Sequence, residues 1–304
     1  MSEHQYRKRT DMKVNLTDPY KGTSGFQHKG NIHTHTLKSH CGKIALEDVV
    51  KVFEERDYAF IAITDHCVIA DIPSKCSRKL AVLPGIEIDL QGRSHFGVVH
   101  TDASAIFYDP NATQQEMIDR NIAAGALVTL HHPDWQLREH YTVDELMKLE
   151  NYDGIEIYNT VIEFLEGSPL STAKWDRLLA SGRRILGFAN QDFHDYKHAL
   201  DCCNILCGSD KQPASILKAL KEGRFYCYYG VNIKSMGREG DTISVEADNA
   251  RLIRFIGMGG KVLKKVKANS AQFTFTKGGE CSYVRIECLG EGEEISFSQP
   301  FFRE

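Results

Sequence analysis

The sequence is first informative for what it lacks. No apolar run approaches the roughly 18 residues a helix needs to cross a membrane. The opening stretch MSEHQYRKRT is charged where a secretory leader would be apolar. A soluble, cytoplasmic protein with no membrane partner is expected. Charge of one sign is also missing: 37 Lys and Arg stand against 41 Asp and Glu, for a net charge of -4. No basic field draws such a chain to nucleic acid in general. The nine cysteines are odd in number and form no CxxC pairs, which argues against a zinc ribbon and against a secreted disulfide framework. Reduced thiols are expected, and the run Asp201-Cys-Cys-Asn-Ile-Leu-Cys-Gly208 reads as a buried turn and strand. No phosphate-cradling loop is present either. Gly257-Met-Gly-Gly260 precedes Lys261 outside the GxxxxGK[ST] frame and reads as a hairpin turn. There is no internal repeat and no low-complexity segment.

What is present is the composition of an ordinary globular chain, 304 residues of which 42% are hydrophobic and 26% charged. That suits one large domain plus a small one. Residues 1–27 form an N-terminal segment, with a strand expected around Met12 to Leu16. From 28 to 230, short apolar runs alternate with amphipathic stretches, the pattern of βα units on a largely parallel sheet. Strands are expected at Asn31-Ile32, Phe60 to Ile63, Leu80 to Ile88, Phe96 to Val99, Leu127 to Leu130, Ile155 to Tyr158 and Ile185 to Phe188. Between them, Leu46, Val49, Val50 and Phe53 recur at helical spacing, and helical patterns also surround Leu146-Met147 and Trp175 with Leu178-Leu179. From 231 to 304 the texture changes to strict alternation (Ile243, Val245; Phe273, Phe275; Val284, Ile286) with Gly-rich turns, which predicts a small antiparallel β domain.

The chemistry-bearing residues cluster at strand ends. His33-Thr-His35 follows the first strand, Asp65-His66 closes AFIAIT, Glu87 sits in LPGIEI, and His95 opens HFGVV. His131-His132-Pro133 terminates ALVTL, and Asp192-Phe-His194 follows RILGFAN. An α/β sheet or barrel gathers function at the carboxyl ends of its strands. Any one of these pairs could be a satisfied core histidine, but their coincidence on separate strands points to a multinuclear metal site and a hydrolase. Carboxylates such as Glu87 and Asp192, set among Gly, Ile and Phe, are costly to bury without a positive partner, and metal ions supply one. Imidazole donors favour zinc, iron or manganese over magnesium.

In order along residues 28 to 230, the segments GNIHTHTLKSHCG, AITDH, PGIEI, HFGVV, LHHPDW, YDGIEIYN and NQDFHD resemble the motifs of the PHP superfamily of metal-dependent phosphoesterases. The resemblance implies a distorted (β/α)7 barrel and up to three divalent transition metal ions, Zn, Mn or Fe. It implies that His33, His35 and Asp192 hold one ion, and that Glu87 bridges it to a second held by His95 and His132. His40, His66 and His194 would hold the third. His132 rather than His131 precedes the proline of the HP motif and is assigned as the ligand, with His131 its neighbour. Asp65 is expected to orient the site from behind the ligands. His100 is read as a loop residue, and His4, His28, His140 and His198 default to a solvated surface.

The implied reaction is hydrolysis of a phosphate ester of a small metabolite or nucleotide, by a metal-activated hydroxide attacking phosphorus in line. Lys38, Arg93, Arg138 and Lys197 lie near the motifs as candidate substrate contacts. Where nucleotide-acting members often show Gly-Arg after the HP pair, this chain has Asp134-Trp135, which weakens the inheritance of nucleotide specificity. A hydrolase of a non-phosphate ester or carbamate, and a non-catalytic metal-binding or sensing module, stand as alternatives. The β domain is expected to cover one face of the barrel.

Overall fold

The computed structural model describes residues 16–22, 25–73, 76–77, 79–89, 94–135, 140–208, 210–276 and 281–303. Arg93, Arg138, His4 and most of the strand expected from Met12 to Leu16 lie outside them. Leu16 itself forms an isolated antiparallel bridge with Arg303.

Every strand predicted between residues 28 and 230 forms. The first part of the chain runs β1 (Phe26–Asn31), α1 (Leu46–Glu55), β2 (Phe60–Ile63), β3 (Ala81–Ile88), β4 (Phe96–Val99), α2 (Gln114–Ala123), β5 (Leu127–Leu130) and α3 (Val143–Lys148). It continues through β6 (Gly154–Asn159), α4 (Thr172–Ala180), β7 (Leu186–Asn190), β8 (Cys202–Cys207), α5 (Pro213–Lys221) and β9 (Phe225–Tyr229). The helices follow from local chemistry. In α1, Val49, Val50 and Phe53 form one buried stripe. Thr113 with Glu116 and Thr142 with Glu145 make reciprocal capping boxes that start α2 and α3. Strands β2, β4 and β5 are buried on both faces, as continuous apolar runs require.

After residue 230 the chain is all β: β10 (Ile233–Glu239), β11 (Thr242–Ala247), β12 (Leu252–Gly257), β13 (Lys261–Val266), β14 (Ser270–Thr274), β15 (Tyr283–Leu289), β16 (Ile295–Ser298) and β17 (Phe301–Phe302). Strands β10, β11 and β14 make a three-stranded antiparallel sheet. The other strands join the large sheet, whose order is β13-β12-β15-β16-β9-β8-β1-β2-β3-β4-β5-β6-β7. A second apolar core, including Met236, Ile243, Val245, Ile253, Phe255 and Ile286, fills the space between the small sheet and this extension. The hairpin expected at Gly257 to Gly260 joins β12 to β13.

One expectation is refined and one corrected. The sheet around the strand ends is parallel-rich but mixed: β1-β2-β3 and β5-β6-β7 are parallel, while β4 runs antiparallel to both β3 and β5. Residues 89–95 are too few for the dozen or more that a parallel crossover needs, so β4 pairs antiparallel with β3. Nor is the sheet closed into a barrel. β8 already occupies the second edge of β1, and among the described residues β7 has no ladder partner besides β6. Side-chain amides bridge that seam instead. Asn204 donates to the Ala189 carbonyl at 2.9 Å and accepts the Ala189 amide at 3.1 Å. Gln299 does the same for Gly187, at 2.7 and 3.0 Å. Past the end of β1, Thr34 and Phe193 form a parallel bridge.

Candidate metal centre

The turns at one edge of β1 to β7 carry the site. Because β4 is reversed, His95 at its start lies at the same edge as Glu87 near the end of β3, and the two side chains meet at 3.2 Å. His33 Nε2, His35 Nε2, Glu87 Oε2 and Asp192 Oδ1 form the tightest set. The two imidazole nitrogens are 3.1 Å apart, each is 3.2 Å from Glu87 Oε2, and each is 3.1 Å from Asp192 Oδ1. Donors arranged tetrahedrally around one zinc ion at its usual bond lengths would be roughly 3.3 Å apart. All four side chains are buried, and Asp192 Oδ1 has no hydrogen-bond partner. A buried, unsatisfied carboxylate oxygen facing imidazole nitrogens is a donor set that fits a cation.

Glu87 turns its other oxygen to a second group, with His131 Nδ1 at 2.9 Å, His95 Nδ1 at 3.2 Å and His132 Nε2 at 3.3 Å. A third group brings donor atoms of His35, Cys41, His66 and His194 within 4.8 Å of one another. Thus His33, His35, His66, Glu87, His95, His132, Asp192 and His194 converge. His40 does not join them among the described donor sets: it is exposed, with its ring centred 5.1 Å from that of His66. Two of the converging residues, His132 at φ +27° and Asp192 at φ +52°, hold left-handed backbone, a conformation that non-glycine residues adopt at a cost.

Behind the donors, hydrogen bonds fix which ring nitrogen faces the centre. His33 Nδ1 donates to Glu156 Oε1 at 2.8 Å, leaving Nε2 to face Glu87 and Asp192. Asp65 accepts from the Thr36 amide, the Thr36 hydroxyl and Ser39 Oγ, each at 2.7 Å. Since the only proton on Ser39 Oγ goes to Asp65, that oxygen must accept from His35 Nδ1 at 2.9 Å. His35 Nε2 is thereby turned inward. Asp65 acts through Ser39 and enters none of the donor sets among the described residues. His194 Nδ1 donates to the Asp192 carbonyl at 2.6 Å, which frees its Nε2.

The electrostatics ask for positive charge. Burial opposes protonation of His33 and His35, yet Asp192 and Glu87, joined at His33 by Glu156, outweigh it. His33 is raised well above its ordinary range and His35 to about 9. Burial would raise Glu87, but the charges of His33, His95 and His66 hold it well below the usual carboxylate range. Asp192 is likewise held low against burial by His33, His194 and His35. Burial pushes His194 and His131 down to about 4, and pushes the Cys41 thiol up to about 12 with help from Asp192 and Glu87.

Some residues were not foreseen in their roles. Glu156 is buried and accepts from His33, the His132 amide, Asn159 and Asn190 at 2.8 to 2.9 Å. The tetrapeptide Gly-Ile-Glu-Ile occurs at both 85–88 and 154–157, so the argument from a buried charge applied to Glu156 as much as to Glu87. His140 and His198 are buried rather than solvated: His140 Nε2 accepts the His95 amide at 2.9 Å, and His198 Nδ1 accepts the His194 amide at 3.3 Å. Both were drawn inward by packing against the ligand loops. His100 pairs with the Asp102 amide at 2.9 Å, at the end of β4 away from His95.

A cavity of about 450 Å³ opens onto the donors, walled by Trp135, Val161, Ile162, Phe164 and Leu165 and rimmed by Lys43 and Lys197. Lys197 lies 5.5 Å over the Phe164 ring, and Lys43 pairs with Asp195 at 2.9 Å. Lys38 is exposed and does not line this cavity. The cysteines are free thiols, and Cys202, Cys203 and Cys207 are buried in β8 as expected.

Among solved structures, the chain is similar over 95% of its length to a two-domain protein from Bacteroides vulgatus. That protein is described as containing a predicted PHP-like metal-dependent phosphoesterase. The match covers 98% of that chain, with TM-score 0.51 and 15% identity. The chain therefore has a PHP-like fold. Shorter matches cover 55% of the chain against a protein from Bifidobacterium adolescentis described as a candidate metal-dependent phosphoesterase (87% of that chain, TM-score 0.41, 17% identity). They also cover 54% against an amidohydrolase from Chromobacterium violaceum with bound sulfate and no metal (87% of that chain, TM-score 0.39, 14% identity). No family model and no curated protein matches the sequence. No described helix is long and apolar enough to cross a membrane.

Proposed function

We propose that the protein is a metal-dependent hydrolase that cleaves a phosphate ester of a small metabolite or nucleotide. One observation carries this reading: His33 Nε2, His35 Nε2, Glu87 Oε2 and Asp192 Oδ1 converge at 3.1 to 3.2 Å in a buried pocket that opens on a cavity. The PHP-like fold supports it. His33, His35 and Asp192 would hold one ion, Glu87 would span to a second with His95 and His132, and His66 with His194 would serve a third. Bound divalent ions supply a hydroxide nucleophile near neutral pH and polarise the phosphoryl oxygens. Zinc, manganese and iron suit this imidazole and carboxylate set.

The protein's own groups do the rest. Glu156 and the Asp65–Ser39 pair orient His33 and His35 so that their Nε2 lone pairs face inward. Val161 and Ile162, both buried, give the cavity an apolar wall, which strengthens electrostatic contacts inside. Lys197 and Lys43 at the rim place positive charge where phosphoryl oxygens would enter.

A second reading, hydrolysis of a non-phosphate ester or carbamate, draws on the same cavity. Its described wall is mostly apolar, and one of its two rim lysines, Lys43, is already paired with Asp195. The test is a panel of aryl phosphates and aryl carboxylate esters, assayed with zinc, manganese and iron(II) separately. Phosphate release that fails in the Asp192→Asn variant is the expected result. Cleavage of carboxylate esters alone would favour the second reading. Neither activity in fully loaded protein would leave a binding or sensing module.

A further inference from the structure

The sequence places His40 and Cys41 side by side, and the fold separates their environments. His40 is exposed at the cavity lining and belongs to none of the described donor sets, whereas Cys41 is half-buried with its donor atom within 4.8 Å of those of His35, His66 and His194. His35 has no spare nitrogen for this group, because Nδ1 is bound to Ser39 and Nε2 faces Glu87 and Asp192. That leaves one sulfur and two imidazoles. His194 is turned by its Nδ1 bond to the Asp192 carbonyl at 2.6 Å, so Nε2 is its available donor. His66 Nδ1 lies 3.3 Å from Asp89 Oδ2, and its Nε2 lies 3.4 Å from Glu87 Oε2.

A second observation points to a ligand at the same place. His66 Nδ1 is buried and makes no hydrogen bond, although Asp89 Oδ2 stands 3.3 Å away. The turn that presents Cys41 is also tightly fixed. The Gly42 amide donates to the Ser39 carbonyl at 3.2 Å and the Lys43 amide to the His194 carbonyl at 3.0 Å. A Cβ on Gly42 would stand 2.0 Å from the Thr36 carbonyl oxygen, so only glycine lets the turn close this far.

We propose that Cys41 Sγ, not His40, joins His66 and His194 to form a thiolate-containing ion position at the mouth of the centre, selective for thiophilic divalent cations. The inference rests on the metal-centre reading above and refines it. Three protein donors with an open fourth position match the pattern of catalytic zinc sites, and a coordinating thiol gives up its proton to the solvent. Thiolate favours zinc, cobalt or iron(II) and disfavours magnesium and manganese, so the mouth position would discriminate between ions that the imidazole and carboxylate positions accept.

Cobalt(II) loading tests it without any turnover assay. The wild-type protein should show a thiolate-to-cobalt charge-transfer band in the near ultraviolet. Cys41→Ser should lose the band and one ion per chain, while His40→Ala keeps both. A wild-type protein that binds cobalt without the band, or a band that survives Cys41→Ser, overturns this inference and leaves the metal-centre reading standing. Folded protein that binds no cobalt overturns that reading and this inference with it. Should Cys41→Ser fail to fold, alkylation of wild-type Cys41 followed by peptide mapping decides. Zinc should slow modification roughly ten-fold or more and magnesium should not, because a metal-bound thiolate is a poor nucleophile at carbon compared with the free one. Equal rates with and without zinc overturn the assignment.

Discussion

A carboxylate set between two isoleucines stays charged only if the fold supplies partners, and this chain does so twice with the same tetrapeptide. Glu87 faces the donors, while Glu156 holds His33 and the His132 amide from behind. Replacing Glu156 with Gln keeps the shape but weakens the bond that orients His33. A chelator-competition titration should show ion affinity falling about 10- to 100-fold with the fold intact. Unchanged affinity would remove Glu156 from the site. The charge balance also predicts a pH effect. Metal-free His35 is raised from 6.5 to about 9 in the folded protein. The folded state therefore holds that proton more tightly than the unfolded chain. The resulting stability is complete below 6.5 and lost as pH rises through about 9. The melting temperature of chelator-treated protein should fall across this window, and added zinc should flatten the fall by replacing the proton as the positive partner. A flat profile without metal would show that His35 carries no such proton. At this scale the converging histidines and both facing carboxylates could be read from strand-end positions. Cys41 could not, because which neighbour in a His-Cys pair turns inward is set by the Ser39–Gly42 turn and not by residue type.

Strands and helices were legible wherever the apolar pattern was long, and their direction was less so. The period-two signal of β4 says nothing about whether it runs with or against β3. Only the length of residues 89–95 decides that, and the reversal brings His95 to the donors. The same strand carries a steric constraint on the centre. A Cβ at Gly97 would lie 2.3 Å from His131 Nε2 and 2.5 Å from its Cε1. His131 is buried, stacked on His33 at 3.8 Å and bonded to Glu87 at 2.9 Å, so its ring has nowhere to retreat. Gly97→Ala should therefore destabilise the protein by about 1–3 kcal/mol, the usual cost of overpacking, and displace His131 from Glu87. Denaturant unfolding with elemental analysis checks both. An alanine variant with wild-type stability and ion content would mean the ring moves freely.

The molecule as a whole is less divisible than its change of texture at residue 230 suggests. Strand β16 pairs with β9, so one hydrogen-bonded sheet passes from the part that bears the donors into the C-terminal strands. Gln299, from the last loop, satisfies both the amide and the carbonyl of Gly187 on the open edge of β7, two strand positions before Ala189 and five before Asp192. Arg285 on β15 makes a two-pronged contact with Asp176 on α4, at 2.8 and 2.7 Å, with both groups buried. Sequence could not show this, since a seam built from single amide and guanidinium side chains has no periodicity. Removing one partner of such a buried pair strands the other charge at a cost of about 3–5 kcal/mol, whereas replacing both with apolar residues of similar volume is often near neutral. Arg285→Met alone should thus lower stability by that amount, and Asp176→Leu added to it should recover part of the loss: Glu287, which Arg285 also bonds at 2.7 Å, loses that bond in both variants but keeps Arg254 as a partner at 2.6 Å. Urea unfolding of the four chains of this cycle measures it. If Arg285→Met also lowers the ion content of the folded protein, the C-terminal strands help to set the position of β7 and, through it, of Asp192. If stability falls but ion content does not, they only cover the sheet.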